Sequence, residues 1–307
     1  MALNCSHCSF HNPDHAQFCS RCKAPLTQIL YTLPPGSHLA QGQYRIDAVL
    51  GEGAFGITYK GMNLATNQPV AIKELFPYGS IRQGQSFLLP NNLDDQGFAE
   101  LRQQFTVEGN CLIQLNSPHI VKGLARFEEN GTLYIVMEFV EGRTLHRVVR
   151  ARGPLEDKVV LHYLQQIGQA LADVHQQGFV HRDIKPANIL INKHNQATLI
   201  DFGSAWAIGE SAPKRVVTPG FAPPEQYLDN TGYPAVDVYA LASTGYFALT
   251  GRAPIPSRER LEGEKLLPLH IFNKLVTAST ELMILKGMAL SLENRPKSIG
   301  HFIRALV

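Results

Sequence analysis

The chain has 307 residues, a formal net charge of +2 at pH 7, 44% hydrophobic residues and 18% charged residues. These values are typical of an ordinary globular chain, long enough for one large two-lobed domain or two smaller ones. The near-neutral charge argues against nucleic acid or an anionic membrane as the main partner.

The sequence also predicts a cellular compartment. No apolar stretch approaches the length that spans a bilayer, so we expect no membrane association. The first residues, MALNCSHCSF, have neither a basic nor an apolar signal region, so we expect no signal peptide and a cytoplasmic protein. Because disulfides are rare in that compartment, paired cysteines favour a metal site over a disulfide framework.

Three regions follow one another along the chain. Residues 1–24 are rich in cysteine, and residues 25–42 carry a Pro-Pro-Gly turn with little periodicity, which predicts a linker. Residues 43–307 have the pattern of one continuous domain, without internal repeats or low-complexity tracts.

The first region has the spacing C-x2-C-x10-C-x2-C, formed by Cys5, Cys8, Cys19 and Cys22. Two such pairs can place four thiolates tetrahedrally, as Zn²⁺ prefers. The segment is too short to bury a core, so metal binding would supply its folding energy. We therefore predict a structural zinc ribbon, with redox thiols, iron or an empty tail as alternatives.

The long domain changes character near its middle. The segments YRIDAVLGEGAFGITYKGMN, QPVAIKEL and GTLYIVMEFV read as strands separated by glycines and polar turns. After Gly142, the segment VVLHYLQQIGQALADVHQQG places its apolar residues on one helical face. The sequence thus predicts a β-rich front half and an α-rich back half.

A glycine-rich turn at Gly51, Gly53 and Gly56 has the spacing G-x-G-x-x-G. It lies between two strand patterns with no helix after it, which favours a hairpin folded over phosphates rather than a Rossmann turn. By itself the motif fits a hairpin without a ligand equally well.

A charged pair is predicted behind this turn. Lys73 ends the strand-like VAIK and could reach the same phosphates as a point charge. Glu108 falls on the apolar stripe of a predicted helix, where a carboxylate is costly unless paired. We predict an ion pair between Lys73 and Glu108; the alternative is a helix rolled so that Glu108 reaches water. Cys111 on this helix is predicted to be a buried packing thiol.

Two further motifs, HRDIKPANIL at 181–190 and IDFG at 200–203, flank a short predicted hairpin. With the motifs already described, and in the same order, they make residues 43–307 similar to a protein kinase domain of the bacterial Ser/Thr type. The resemblance implies a bilobal α+β fold, with a β-rich N-lobe at about 43–139 and a helical C-lobe at about 143–307.

The resemblance implies a role for each polar residue of these motifs. Asp183 would orient the substrate hydroxyl or accept its proton, and Lys185 would neutralise the transferred phosphate. Asn188 and Asp201 would hold Mg²⁺ or Mn²⁺ against the phosphates of ATP. Lys73, aimed by Glu108, would bind the α- and β-phosphates.

The resemblance also implies an adenine pocket, formed with the glycine turn by Leu50, Thr58, Ala71, Met137, Glu138, Val140 and Leu190. Met137 matches the gatekeeper position, and Glu138 and Val140 would supply hinge backbone groups. Thr58 stands where the family usually has valine. Core packing without a ligand is the alternative for most of these residues.

Other parts of the domain depart from the family pattern or suggest regulation. Glu225 lies in P-P-E instead of A-P-E, and Arg295 matches its usual buried partner. The stretch between Lys73 and Glu108 is longer than typical and is expected to be a loop or an extra turn.

An arginine beside the catalytic aspartate, Arg182, could pair with a phosphate on the activation loop. Ser211 is the favoured phosphosite, since Thr218 matches a threonine that contacts Asp183 and Lys185. Alternatively, backbone or carboxylate groups satisfy Arg182 and the loop needs no modification.

Together these features predict a signalling protein Ser/Thr kinase that acts on protein substrates. The cysteine prefix resembles that of a group of cyanobacterial kinases and could dock a partner protein. A pseudokinase scaffold is the first alternative, although the lysine, both aspartates and the asparagine of the motifs are present. A nucleic-acid-binding ribbon is disfavoured, because only Arg21 and Lys23 are basic side chains of the Lys/Arg type in residues 1–24.

Overall fold

The structure is a computed structural model that describes residues 3–4, 8, 10–13, 19–23, 31–83, 86–210, 217–228 and 233–306. Cys5 and Ser211, both singled out from the sequence, lie outside the described residues. At the N-terminus, strands β1 (Leu3–Asn4) and β2 (His11–Asn12) pair in an antiparallel ladder.

A six-stranded antiparallel sheet forms the first lobe, in the order β3-β4-β5-β6-β10-β9. Its strands are β3 (His38–Leu39), β4 (Tyr44–Glu52), β5 (Gly56–Asn63), β6 (Gln68–Leu75), β9 (Gly123–Glu129) and β10 (Thr132–Glu138). Alternating residues of β5 are buried, as expected for strands with one face on a core. Strand β10, which lies between β6 and β9, is buried along nearly its whole length.

The sheet carries one long helix, α1 (Asp95–Gln114), which contacts β9 and β10. The side chain of Asp94 caps it by accepting a hydrogen bond from Gly97 N. Its buried face includes Phe105 and Leu112 and, on the same stripe, Glu108. The helix therefore brings a carboxylate into the interior of the lobe.

The structure differs from the linker predicted over 25–42 in its second half. Leu33 is buried with the sheet core, Gly36 N–H donates to Ile46 O at 2.8 Å, and Ile46 N–H donates to Ser37 O at 2.8 Å. Strand β3 then pairs with β4. Burial of apolar side chains and hydrogen bonding to the edge of the sheet hold this stretch in place. Its described part therefore forms the outer edge of the first lobe.

The second lobe is helical. Its helices are α2 (Leu145–Arg152), α3 (Asp157–Gln176), α4 (Pro224–Leu228), α5 (Ala235–Thr250), α6 (Ser257–Leu261), α7 (Ala278–Gly287) and α8 (Ile299–Arg304), with short 3-10 turns at Pro186–Asn188, Leu269–Ile271 and Leu292–Asn294. Helix α5 is apolar around its circumference and is buried on every side, packing on α3 and α7.

Short strands lie where the two lobes meet. They are β11 (Arg143–Thr144), β12 (Phe179–Val180), β13 (Ile189–Ile191), β14 (Ala197–Leu199) and β15 (Trp206–Ala207). Strands β11, β13 and β14 form one small sheet, and β12 pairs with β15. One hydrophobic core runs from α1 through this junction into the helices. Among the described residues, we find no helix with the length and apolarity that crossing a membrane requires.

The long stretch between Lys73 and Glu108 folds as a hairpin rather than a plain loop. Strands β7 (Ile81–Gln83) and β8 (Ser86–Leu88) pair antiparallel. The ring of Phe87 lies 5.2 Å from that of Phe76 and 5.6 Å from that of Phe98 on α1. The hairpin is therefore packed on the lobe that carries Lys73.

Candidate active site

The predicted ion pair between strand β6 and helix α1 is formed. Lys73 Nζ donates to Glu108 Oε1 at 2.6 Å, and also to Asp201 Oδ1 at 2.9 Å in the loop after β14. Burial disfavours the charged lysine, but the carboxylates of Asp201 and Glu108 outweigh it and raise the pKa of Lys73. The ammonium group is thus fixed in position and permanently charged.

The same contact influences the pKa of the Asp201 carboxylate. Burial works against its charge, but Lys73 and the hydrogen bond from Gly203 N–H at 3.1 Å hold its pKa below the ordinary range. A Cβ at Gly203 would lie only 3.3 Å from Lys73 Nζ. The glycine therefore lets the backbone approach this charged group closely.

A second polar cluster surrounds Asp183. Lys185 Nζ donates to Asp183 Oδ2 at 2.7 Å, and Thr218 Oγ1 donates to Asp183 Oδ1 at 2.9 Å. Asn188 Nδ2 donates to the main-chain oxygen of Asp183 at 2.9 Å. Lys185 also reaches Thr218 Oγ1 at 3.1 Å, so these four side chains form one connected network.

The loop that carries Asp183 is held by a residue that the sequence analysis missed. Asp237 on α5 is fully buried and accepts hydrogen bonds from His181 N–H at 2.9 Å and Arg182 N–H at 2.8 Å. His175 Nε2 lies 2.8 Å from the same carboxylate. Burial opposes the charge, but these partners lower the pKa of Asp237.

This anchoring explains an unusual backbone. Arg182 has φ of +68°, a left-handed conformation that non-glycine residues rarely adopt and that surrounding contacts must hold. The two N–H groups bound by Asp237 supply that hold. A single carboxylate in the otherwise apolar AVDVYALAS was the available sequence signal, because a buried charge needs partners.

The ring of Phe202 fixes the other loop against this one. It is fully buried and packs edge-on against His181, with ring centroids 4.7 Å apart. Burial lowers the pKa of His181. Asp183 and Asp201 are therefore both presented by loops with buried anchors.

The glycine turn joins β4 to β5, and its three glycines differ in their surroundings. A Cβ at Gly56 would collide with the main-chain oxygen of Glu74, so the fold itself requires glycine there. At Gly51 a Cβ would meet no described atom within 4 Å, and at Gly53 the nearest is Gly56 O at 3.7 Å. These two glycines leave the turn open to a ligand rather than serving the packing of the sheet.

The predicted adenine walls lie at the junction of the lobes. Met137 on β10 is buried and pairs in register with Ala71 on β6, while Thr58 pairs with Lys73. Val140 and Leu190 are partly buried. Leu50 is 47% exposed, so core packing does not account for it.

One of the two predicted hinge residues, Glu138, already uses its backbone N–H in a hydrogen bond within the protein. Glu138 N–H donates to Lys122 O at 3.0 Å, and Glu138 Oε1 accepts from Lys122 N–H at 3.0 Å. For a nucleotide, Glu138 could therefore offer its main-chain oxygen rather than its N–H.

A buried ion pair links α4 to the segment before α8, as the sequence predicted. Arg295 donates to both carboxylate oxygens of Glu225, at 2.6 and 3.2 Å, and to Ala235 O at 2.9 Å. This pair holds α4, which follows the segment that carries Thr218.

At the N-terminus, the Sγ atoms of Cys8, Cys19 and Cys22 all lie within 4.8 Å of one another. Burial works against the thiolate of Cys19, yet backbone hydrogen bonds from Cys22 and Arg21 and the thiol of Cys8 lower its pKa to about 6. Buried Asn12 braces the cluster through Ser20 N–H at 2.9 Å and Cys19 Sγ at 3.7 Å. Cys111 lies elsewhere, where burial and Glu108 raise the pKa of its thiol to about 12.

Comparisons with known proteins agree with this geometry. The sequence model of the protein kinase domain family matches residues 44–284. Serine/threonine-protein kinase B of Synechocystis sp. is 30% identical over 320 residues, covering 99% of this chain and 50% of that protein. Serine/threonine-protein kinase PrkC of Bacillus subtilis is 31% identical over 265 residues, covering 81% of this chain and 37% of that protein.

A solved structure described as the apo form of PpkA-294 superimposes with a TM-score of 0.79 at 29% identity, covering 91% of this chain and all of that one. The bilobal α+β fold expected from the sequence is confirmed. The chain spans about half the length, or less, of the two curated relatives just named. The family match covers most of this sequence, including the glycine turn, Lys73, Glu108 and the Asp183 and Asp201 motifs, so the chain belongs to the protein kinase family.

Proposed function

We propose that the chain is a protein Ser/Thr kinase that transfers the γ-phosphoryl group of Mg-ATP to Ser or Thr hydroxyls of protein substrates. The observation that carries this proposal is the pair of charged clusters at the lobe junction. In one, Lys73 is held by Glu108 and Asp201; in the other, Asp183 is held by Lys185 and Thr218. The Ser/Thr kinase names of the relatives support the same substrate class.

The nucleotide would bind between the glycine turn and the hinge. Leu50, Ala71 and Leu190 would contact the adenine, while Gly51 and Gly53 would let the turn's backbone approach the phosphates. Lys73 would bind the α- and β-phosphates, and its contact with Glu108 keeps it from rotating away. The raised pKa of Lys73 keeps its charge available at any physiological pH.

A divalent cation fits the donors beside this lysine. Asp201 offers a carboxylate that is 42% exposed, and Asn188 uses its amide nitrogen on Asp183, which leaves its amide oxygen as an acceptor. Oxygen donors suit hard cations such as Mg²⁺ or Mn²⁺. When bound, the cation would supply positive charge that neutralises the phosphates.

Transfer then needs positioning and charge neutralisation more than covalent help. Asp183 would orient the substrate hydroxyl and take its proton as the new oxygen–phosphorus bond forms. The bond from the γ-phosphorus to the bridging oxygen breaks, and ADP leaves. Lys185, 2.7 Å from Asp183, would stabilise the negative charge on the transferred group.

For the N-terminal cluster we propose a structural zinc ion held by Cys5, Cys8, Cys19 and Cys22. Soft thiolates suit Zn²⁺, and the three described sulfurs already lie within 4.8 Å of one another. The alignment with the Synechocystis relative leaves out about 1% of this chain, so it reaches into this segment. We propose that the ribbon docks a partner protein. The signalling role and the cytoplasmic location stay predictions from the sequence.

The test uses the full chain with Mg²⁺, a generic protein acceptor such as casein, and ATP labelled at the γ- or the α-phosphate. We expect label on the acceptor from γ-labelled ATP only, recovered as phosphoserine or phosphothreonine. Nucleotide binding without any transferred label would contradict the proposal and favour the pseudokinase alternative.

A further inference from the structure

The insert, defined here as residues 76–83 and 86–93 between Lys73 and Glu108, touches the glycine turn, the strand of Lys73 and helix α1, which carries the acid partner of that lysine. We propose that it is a positioning brace that fixes the glycine turn, the Lys73 strand and helix α1 relative to one another. This inference rests on the proposed function and adds Tyr78, Arg82 and Phe87 as positioning residues for the reaction.

The first contact is with the tip of the glycine turn. Phe76 N–H donates to Phe55 O at 3.0 Å, and Tyr78 N–H donates to Ala54 O at 2.8 Å. Both acceptors lie between Gly53 and Gly56, where the turn would cover the phosphates. Because the bonds come from the backbone and the Tyr78 side chain is 83% exposed, the tie depends on the Tyr78 N–H and not on its ring.

The second contact is behind the Lys73 strand. The Arg82 side chain is only 5% exposed and donates to Glu74 Oε2 at 2.7 Å, with its guanidinium 4.6 Å from the ring of Phe76. Glu74 follows Lys73 on β6, so the two side chains leave the strand on opposite faces. Arg82 therefore anchors the insert to the back of the strand that presents Lys73.

Glu74 is the centre of a buried network. It is fully buried and also accepts hydrogen bonds from Tyr59 OH at 2.8 Å and Tyr134 OH at 2.6 Å, on the two neighbouring strands. Leu33 N–H donates to Tyr59 OH at 3.1 Å. A buried carboxylate needs a charged partner, and Arg82 of the insert supplies it.

The third contact is with helix α1. The ring of Phe87 packs against Phe76 at 5.2 Å and against Phe98 at 5.6 Å, the latter near edge-on. Phe98 lies in the first turn of the helix that carries Glu108. The insert thus joins the helix of the acid partner to the strand of the lysine.

If the hairpin only stabilised the lobe, substitutions in it would lower the melting temperature and leave the kinetic constants of the folded protein unchanged. If the hairpin is a brace, substitutions in it change nucleotide affinity and turnover even where the protein stays folded, because both depend on small displacements of the phosphate-binding groups. The two readings therefore separate in kinetics measured on folded variants.

The experiment compares Tyr78→Pro, which lacks the N–H, with Tyr78→Ala, which keeps it. The readouts are the KM for ATP, the affinity for a fluorescent ATP analogue and the melting temperature. We expect Tyr78→Pro to weaken nucleotide binding about 3- to 10-fold, the range of one net hydrogen bond, with little change in melting temperature. Tyr78→Ala should match wild type. Equal constants for the two variants would overturn the proposal.

A second pair covers the case in which proline disturbs the fold. Arg82→Gln, with folding checked by circular dichroism, should lower kcat/KM about 10-fold, and Arg82→Lys should restore most of it because the charge opposite Glu74 returns. Folded Arg82→Gln with wild-type constants would overturn the proposal. Absence of phosphoryl transfer by wild type would instead sink the proposed function, while the analogue affinities of the Tyr78 pair would still test the brace.

Discussion

The hydroxyl of Thr218 donates a 2.9 Å hydrogen bond to Oδ1 of Asp183, the carboxylate that the proposed mechanism assigns to the substrate hydroxyl. Thr218 also accepts from Lys185 at 3.1 Å, so its oxygen joins the two charged side chains. This position makes Thr218 part of the site's architecture. It favours a structural role over a phosphate-acceptor role for this residue.

Thr218 can be tested by a matched pair of substitutions. Thr218→Val removes the hydroxyl and leaves Asp183 and Lys185 without their bridge, so kcat should fall about 10-fold or more. Thr218→Ser keeps the hydroxyl and should keep most of the activity. Steady-state kinetics with γ-labelled ATP measure both. Equal losses of kcat in the two variants would show that the hydrogen bond from the Thr218 hydroxyl to Asp183 does not account for the loss.

The glycines of the turn should separate folding from nucleotide binding. Gly56→Ala puts a methyl group against Glu74 O, so it should lower the melting temperature. In Gly53→Ala the added methyl group makes only an ordinary contact with Gly56 O at 3.7 Å, so the variant should fold normally and instead weaken binding of a fluorescent ATP analogue. Normal nucleotide affinity in Gly53→Ala would contradict the placement of phosphates beneath the turn.

The Lys73–Asp201 contact predicts a pH dependence of stability. The pKa of Asp201 lies below its ordinary 3.8 and that of Lys73 above its ordinary 10.5, because each stabilises the other's charge. The contact therefore stabilises the fold fully between about pH 5 and pH 9, and the stabilisation is lost as the pH falls below about 4 toward the folded pKa of Asp201.

Melting temperatures of wild type and Lys73→Met, measured from pH 3 to pH 7, check this. The advantage of wild type should be smallest at pH 3 and should level off at about pH 5. An advantage that is the same at pH 3 and pH 7 would contradict the assignment.

The proposed zinc site predicts the metal content of the purified full-length chain. Elemental analysis should give about one zinc per chain, the single ion that four thiolates close. Cys19→Ser should lose that zinc. Cys111→Ala is the matched control, since Cys111 lies on helix α1 away from the cluster, and it should keep the zinc. Retention of zinc by Cys19→Ser would sink the proposal.

Local pattern was enough to predict much of the site. Glu108 lies on an apolar helix stripe, and its pairing with Lys73 could be predicted because a buried carboxylate needs a cationic partner. The Asp183 and Asp201 loops followed from motif order. The Lys73–Glu108 pairing is found in the structure, and it could be predicted because the neighbours of Glu108 along the chain already restrict its environment.

Other features depend on contacts between distant segments, which local pattern does not reveal. Asp237 accepts hydrogen bonds from the backbone N–H groups of residues 181 and 182, more than 50 positions earlier in the chain. The residues next to Asp237 in the sequence do not indicate these partners. Similarly, Arg82 pairs with Glu74 only because the insert folds back on the strand before it. The local pattern around Leu33 predicts a linker, because the local sequence does not show that this stretch packs on the edge of the sheet.

The most direct test of the central claim is transfer of γ-phosphate by Asp183→Asn, measured together with Mg-ATP affinity. Asparagine preserves the shape of Asp183 and one of its two acceptor oxygens but cannot take the substrate proton. We expect transfer to fall about 100-fold or more, the scale of a lost general base, while the dissociation constant for Mg-ATP changes little. Wild-type transfer by Asp183→Asn would contradict the account.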